Sequence, residues 1–235
     1  MITRIRRLVT CARSDERGIT LVELLVAMSL SLIVLTIAGS FLVASQKASV
    51  TASSVSQNTR AASVAMNEIG RVLRAATDNP VQTGDDSQFA FQYASATTVR
   101  FFAYVNLDST LSQPVQVQLT LDPVTKRLTE TKWVGTPVSR NLSYFSFPLS
   151  SGPTLSATPT SRRTLASSVT NGTLFTFLDA TQNPAGLSVP VSATQLPNIR
   201  SVAFTLTVGS GASDPNAVTL KNTASMPNIV MGASS

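Results

Sequence analysis

Residues 18–46 read GITLVELLVAMSLSLIVLTIAGSFLVASQ, and the rest of the chain is arranged around them. A glycine opens the stretch, one acid, Glu23, stands near its start, and from Leu24 to Gln46 no side chain carries a charge. A helix needs roughly 20 mainly apolar residues to cross a bilayer, because its backbone polar groups must all be satisfied inside the span. A membrane-spanning helix is therefore expected over residues 19–46. Glu23 is out of keeping with it: an ionised carboxylate beside hydrocarbon is costly, and one that is kept there usually has a cationic partner. A secretory signal has a shorter apolar region, about 7–15 residues, with its small-residue cleavage site behind it. Here the uncharged run is longer, and the small residue, Gly18, precedes it.

The segment ahead of Gly18 is basic. Arg4, Arg6, Arg7, Arg13 and Arg17 stand there against Asp15 and Glu16, so half of the formal net charge of +6 belongs to residues 1–18. Positive residues flanking a span stay on the cytoplasmic side, which puts the N-terminus inside and the large C-terminal part outside. The order of a basic leader, Glu16-Arg17-Gly18, and then Ile19-Thr20-Leu21-Val22-Glu23-Leu24-Leu25-Val26-Ala27-Met28 resembles the class III signal of type IV pilins and pseudopilins. That resemblance implies that 1–18 is a leader peptide. It implies that prepilin peptidase cuts between Gly18 and Ile19 and methylates the new amine on Ile19, and that Glu23, fifth from the cut, is the acid used in assembly. Ile19 stands where the family more often has phenylalanine. The implied partners are prepilin peptidase, the assembly platform in the membrane, and major and other minor pilins. The implied location is the cytoplasmic membrane, with an extracytoplasmic pilus after assembly.

No proline occurs between Ile19 and Thr77, and Asp78-Asn79-Pro80 reads as a helix stop and turn. One helix of about 59 residues, roughly 90 Å at 1.5 Å per residue, is expected. Residues 47–79 form its amphipathic continuation: Ala48, Ala52, Val55, Thr59, Ala62, Met66, Ile69, Leu73 and Ala76 recur at steps of four and three, a stripe along one face. The stripe is expected to dock the outer half of the helix on a globular domain, with Ala62, Met66, Ile69 and Leu73 against Val117, Leu119, Phe204 and Leu206.

From residue 80 to 235 the period changes to two. Phe89, Phe91 and Tyr93, then Val99, Phe101 and Ala103, then Val115, Val117, Leu119 and Leu121 alternate with their neighbours as strands do. The last of these is expected to have one buried and one wet face. Asp122-Pro123-Val124-Thr125-Lys126 is turn chemistry, and 127–134 is its hairpin partner. Further strands are expected at 142–147, 165–169, 174–178, 199–208 and 217–223, with 149–164, rich in Ser, Thr, Pro and Gly, as an exposed loop. The fold class is thus α+β, a long N-terminal helix packed on an antiparallel β-sheet domain. The phrases LTLDPVTKRLTE, RTLASSVTNGTLFTFLDATQNP and LPNIRSVAFTLTV are similar to the C-terminal domain of PilW-like minor pilins and of J-type minor pseudopilins. The resemblance implies a minor pilin that helps initiate, prime or cap a filament. A minor pseudopilin of a type II secretion system and a signal-anchored surface domain that binds ligand on its own stay open.

The chemistry of the remaining residues is sparse. There is no histidine, the only cysteine, Cys11, lies in the leader, and no glycine loop could cradle a phosphate, so the usual nucleophile and base pairs cannot be built. Neither enzymatic activity nor a cofactor or metal is expected, and the mature domain must rely on its core in place of a disulfide. Gly84-Asp85-Asp86 offers too few oxygens for a calcium cage and reads as a turn. Asn141-Leu142-Ser143 and Asn171-Gly172-Thr173 match the glycosylation pattern, but beside a bacterial-type leader both read as chance matches, the second as a turn. Arg162 and Arg163, with Lys126, Arg127, Lys132 and Arg140, read as a solvated mixed face ahead of a DNA-binding surface.

Overall fold

The computed structural model describes residues 19–81, 88–105, 113–139, 141–183, 185–211 and 213–229, and for 141–143 the backbone alone. One helix, α1 (Leu21–Arg74), is followed by ten strands: β1 (Phe91–Ala94), β2 (Thr98–Tyr104), β3 (Pro114–Asp122), β4 (Arg127–Val134), β5 (Thr136–Val138), β6 (Asn141–Ser146), β7 (Ser161–Ala166), β8 (Phe175–Leu178), β9 (Ser201–Val208) and β10 (Val218–Ser225). This is the α+β arrangement of one long N-terminal helix and an antiparallel β domain. The chain divides into two compact units, one ending at Thr51 and the other running from Ala52.

In the first unit α1 is apolar all round, and its large side chains from Leu21 to Val43 are exposed. Hydroxyls in its apolar part bond back to the helix: Ser29 donates to the carbonyl of Leu25, Ser31 to that of Ala27 and Thr36 to that of Leu32, at 2.6–2.7 Å. Such back-bonding pairs these hydroxyls where the helix meets an apolar environment. Among the described residues α1 is the one helix long and apolar enough to cross a membrane.

In the second unit α1 becomes part of a core. Ala62, Met66, Ile69 and Leu73 are buried in one cluster with Val117, Leu119, Phe204 and Leu206, the set expected from the stripe. The stripe's earlier members, Ala48, Ala52, Val55 and Thr59, are exposed, so docking begins at Ala62, about four turns later than the periodicity implied. The helix also stops at Arg74, short of Thr77. Past that point its backbone finds other partners: the Thr77 N–H donates to the carbonyl of Phe102 and the Tyr104 N–H to that of Ala75, so the chain is handed directly to β2.

A five-stranded sheet has the order β1-β2-β3-β4-β7, a three-stranded sheet the order β10-β9-β8, and β5 and β6 pair separately, all antiparallel. The two larger sheets and the end of α1 share one hydrophobic cluster, with Phe91 set between Phe101 and Phe177 at centroid distances of 5.8 and 6.4 Å. In the β3–β4 turn the Asp122 carboxylate accepts the N–H groups of Val124 and Thr125 and the Thr125 hydroxyl, and Lys126 takes a left-handed φ of 56°. Those bonds hold the Asp122 carboxyl below the usual aspartate range.

Two expectations fail in this sheet. Residues 161–164 are not loop: they form most of β7, which pairs with β4 from Lys132↔Ser161 to Leu128↔Ala166, and the strand expected at 165–169 ends at Ala166. Nor is the second face of β3 wet, because Gln116 is fully buried and Gln118 nearly so. The segment 147–160 lies across that face as a strap. Arg100 donates to the carbonyls of Ser150 and Gly152, Gln118 to that of Pro153, and the Trp133 indole to that of Ala157. A serine- and proline-rich stretch can cover a sheet in this way because its backbone carbonyls accept the hydrogen bonds of the buried polar side chains beneath it.

Candidate functional site

The residues singled out for chemistry lie at the start of α1. Gly18 lies outside the described residues. Ile19 is exposed and Thr20 precedes the first helical residue. Thr20 is the N-cap: its carbonyl accepts the Leu24 N–H at 3.1 Å, and its hydroxyl accepts the Glu23 N–H at 3.2 Å. Glu23 reaches back, and its Oε2 accepts the Thr20 N–H at 3.0 Å and the Thr20 hydroxyl at 3.1 Å. This reciprocal pair is a capping box, which satisfies orphan donors of the first turn and places a negative charge at the positive end of the helix dipole. Glu23 therefore has a partner inside its own helix, a role that the reading based on charge in an apolar segment overlooked. The signal was present as Thr20-x-x-Glu23. Only Oε2 is used, and among the described residues Oε1 accepts no hydrogen bond, so one carboxylate oxygen still faces outward.

The residues read as a basic surface are not together. Lys132 is buried, its ammonium 3.3 Å from the Glu130 carboxylate, and Arg163 bonds both Glu130 and Glu68 of α1. Glu68 in turn takes Arg71 bidentately at 2.6 and 2.9 Å. The hydrogen bond from Arg71, outweighing partial burial, holds the Glu68 carboxyl below the usual glutamate range. These five residues make an ionic cluster that ties β4 and β7 to the helix. Arg162, next in sequence, is carried to the opposite face by the strand alternation. Arg140 and the 84–86 turn lie outside the described residues. Asn171 spends its amide on the fold, donating to the carbonyls of Thr173 and Thr205 and accepting the Thr207 N–H, in keeping with a turn.

Sequence reasoning also missed Arg100, the largest fully buried side chain. Besides the two strap carbonyls it donates to Gln118 at 2.9 Å and stacks over Tyr93 at 5.8 Å. Burial pushes its guanidinium down from the ordinary arginine range, and Tyr93 partly offsets this.

A family model described as the prokaryotic N-terminal methylation motif matches residues 13–39. No curated protein matches the chain significantly. The matched span joins the end of the basic segment, Gly18, the Thr20–Glu23 cap and about the first two thirds of the apolar run of α1. The chain thus carries a prepilin-type N-terminal signal on a helix suited to single-pass anchoring.

Proposed function

We propose that this chain is a minor pilin, a structural subunit that helps to initiate, prime or cap a type IV pilus once prepilin peptidase has removed residues 1–18. The observation that carries the reading is the continuity of the methylation motif at 13–39 with α1, in whose uncharged part Ser29, Ser31 and Thr36 bond back to the helix's own carbonyls. Such a helix suits a lipid environment first and a packed filament core afterwards, since neither offers water to an unpaired group. Removal of the leader exposes the Ile19 amine, a cation that must enter apolar surroundings on assembly. The free Oε1 of a neighbour's Glu23 is the group that can meet it. An ion pair gains little over water, but a buried charge left alone costs about 3–5 kcal/mol, so the pair selects the correct register.

The test is the protein content of filaments. Shearing cells and collecting the released pili should recover this chain at low stoichiometry alongside a more abundant pilin. A chain wholly retained in the membrane, with filaments assembled normally in its absence, would exclude the role.

A further inference from the structure

The sheet face under the strap holds a groove that the proposed assembly role leaves without a purpose. Register places Thr98, Thr120, Thr129 and Thr164 directly beside one another across β2, β3, β4 and β7. The adjacent row is Arg100, Gln118, Thr131 and Arg162. Of these residues Thr98, Thr120, Thr129, Gln118, Thr131 and Arg162 line a groove of about 340 Å³, which Trp133 and Pro153 to Leu155 complete. That volume is within the range of small-ligand sites, about 300–1,000 Å³. Its floor is made of strand residues and its roof is pinned by Arg100, Gln118 and Trp133, so the site is held by rigid elements.

We propose that this groove binds a sugar carrying one carboxylate. Each threonine hydroxyl both donates and accepts, and neighbours in the row stand at the interstrand spacing of about 4.8 Å, which alternate hydroxyls of a pyranose ring can match. Thr120 accepts from Gln118, which orients its own proton outward as a donor. An apolar ligand would leave this row of hydroxyls unpaired. Arg162 lines the groove and, among the described residues, has no carboxylate within ion-pair distance. Its fork fits a carboxylate bidentately. The acid in the groove, Asp122, stands two residues beyond Thr120 at the other end, with its oxygens committed to the β3–β4 turn. One available cation answers one carboxylate, not the double charge of a phosphate.

Trp133 is the sole tryptophan of the chain, so its fluorescence reports on this groove alone. Detergent-solubilised full chain titrated with sodium D-glucuronate should give a saturable change in Trp133 emission and saturation-transfer signals from the sugar ring. D-Glucose and sodium acetate should each bind at least about tenfold more weakly, since one supplies only hydroxyls and the other only the charge. Arg162→Gln, an exposed change that leaves the fold alone, should weaken glucuronate by about tenfold, and Thr129→Val by about fivefold. Absence of any response in both measurements would overturn the proposal. So would glucuronate binding no tighter than acetate, or binding that Arg162→Gln leaves unchanged.

Discussion

Oε2 of Glu23 closes the helix cap with Thr20, and in the proposed assembly role Oε1 is the oxygen that would meet a neighbour's amine. Three substitutions separate these duties. Glu23→Gln keeps an acceptor for the cap but removes the charge, Glu23→Ala removes both, and Thr20→Ala weakens the cap by about 0.5–2 kcal/mol while keeping the charge. If pairing governs assembly, both Glu23 variants should be processed normally yet depleted in sheared filaments by at least about tenfold, the equivalent of 1.4 kcal/mol. Thr20→Ala should be incorporated near the parent level. Incorporation that tracks the cap and not the charge would reject the pairing. The charge of Glu23 was legible because it interrupts an uncharged run, whereas its capping role hid behind that contrast. Arg100 was not legible at all. In sequence it is one polar position of an alternating strand, and nothing in the alternation tells what will cover that face.

The last turns of α1 and the strands they meet carry the stability of the domain. Ile69→Ala and Leu73→Ala remove fully buried side chains and should each lower unfolding free energy by about 2–5 kcal/mol in denaturant titrations. Val55→Ala, on the same stripe but exposed, should stay within about 0.5 kcal/mol. In the ionic cluster Glu130→Ala strands buried Lys132 and should cost about 3–5 kcal/mol, while replacing Glu130 and Lys132 together by methionine should recover most of that loss. The cluster also gives the domain an acid limit. Glu68 has its folded-state pKa lowered, chiefly by the Arg71 hydrogen bond. The stability it contributes is present above the ordinary glutamate value and is lost as pH falls through the lower folded value. Thermal midpoints should therefore drop on acidification in that window, and Glu68→Gln should flatten the drop. Asp78 works in the opposite sense: burial raises its pKa, the native state holds its proton longer, and stability declines as pH rises through the gap. The period-two strands at 99–103, 115–121 and 199–208 were readable because side chains alternate between faces whatever lies on them, and 127–134 followed from the turn before it. The edge strand β7 was not, because SRRTLA is polar on both faces, and it is fixed by the charges of Glu130 and Glu68, distant in sequence.

As a whole molecule, the chain joins a uniformly apolar helix behind a basic leader to an antiparallel domain with its own core. The domain could serve many purposes, since a fold alone does not specify a function. The proposed filament role depends on processing of the N-terminus, because only cleavage would create the amine that Glu23 is proposed to meet. The decisive measurement is mass spectrometry of the N-terminal peptide from the membrane fraction of cells with active prepilin peptidase. The predicted result is a chain that begins at Ile19 with a methylated amine, and that keeps its leader when Gly18 is replaced by leucine. A chain that keeps residues 1–18 in those cells, or a mature end at any residue other than Ile19, would contradict the account.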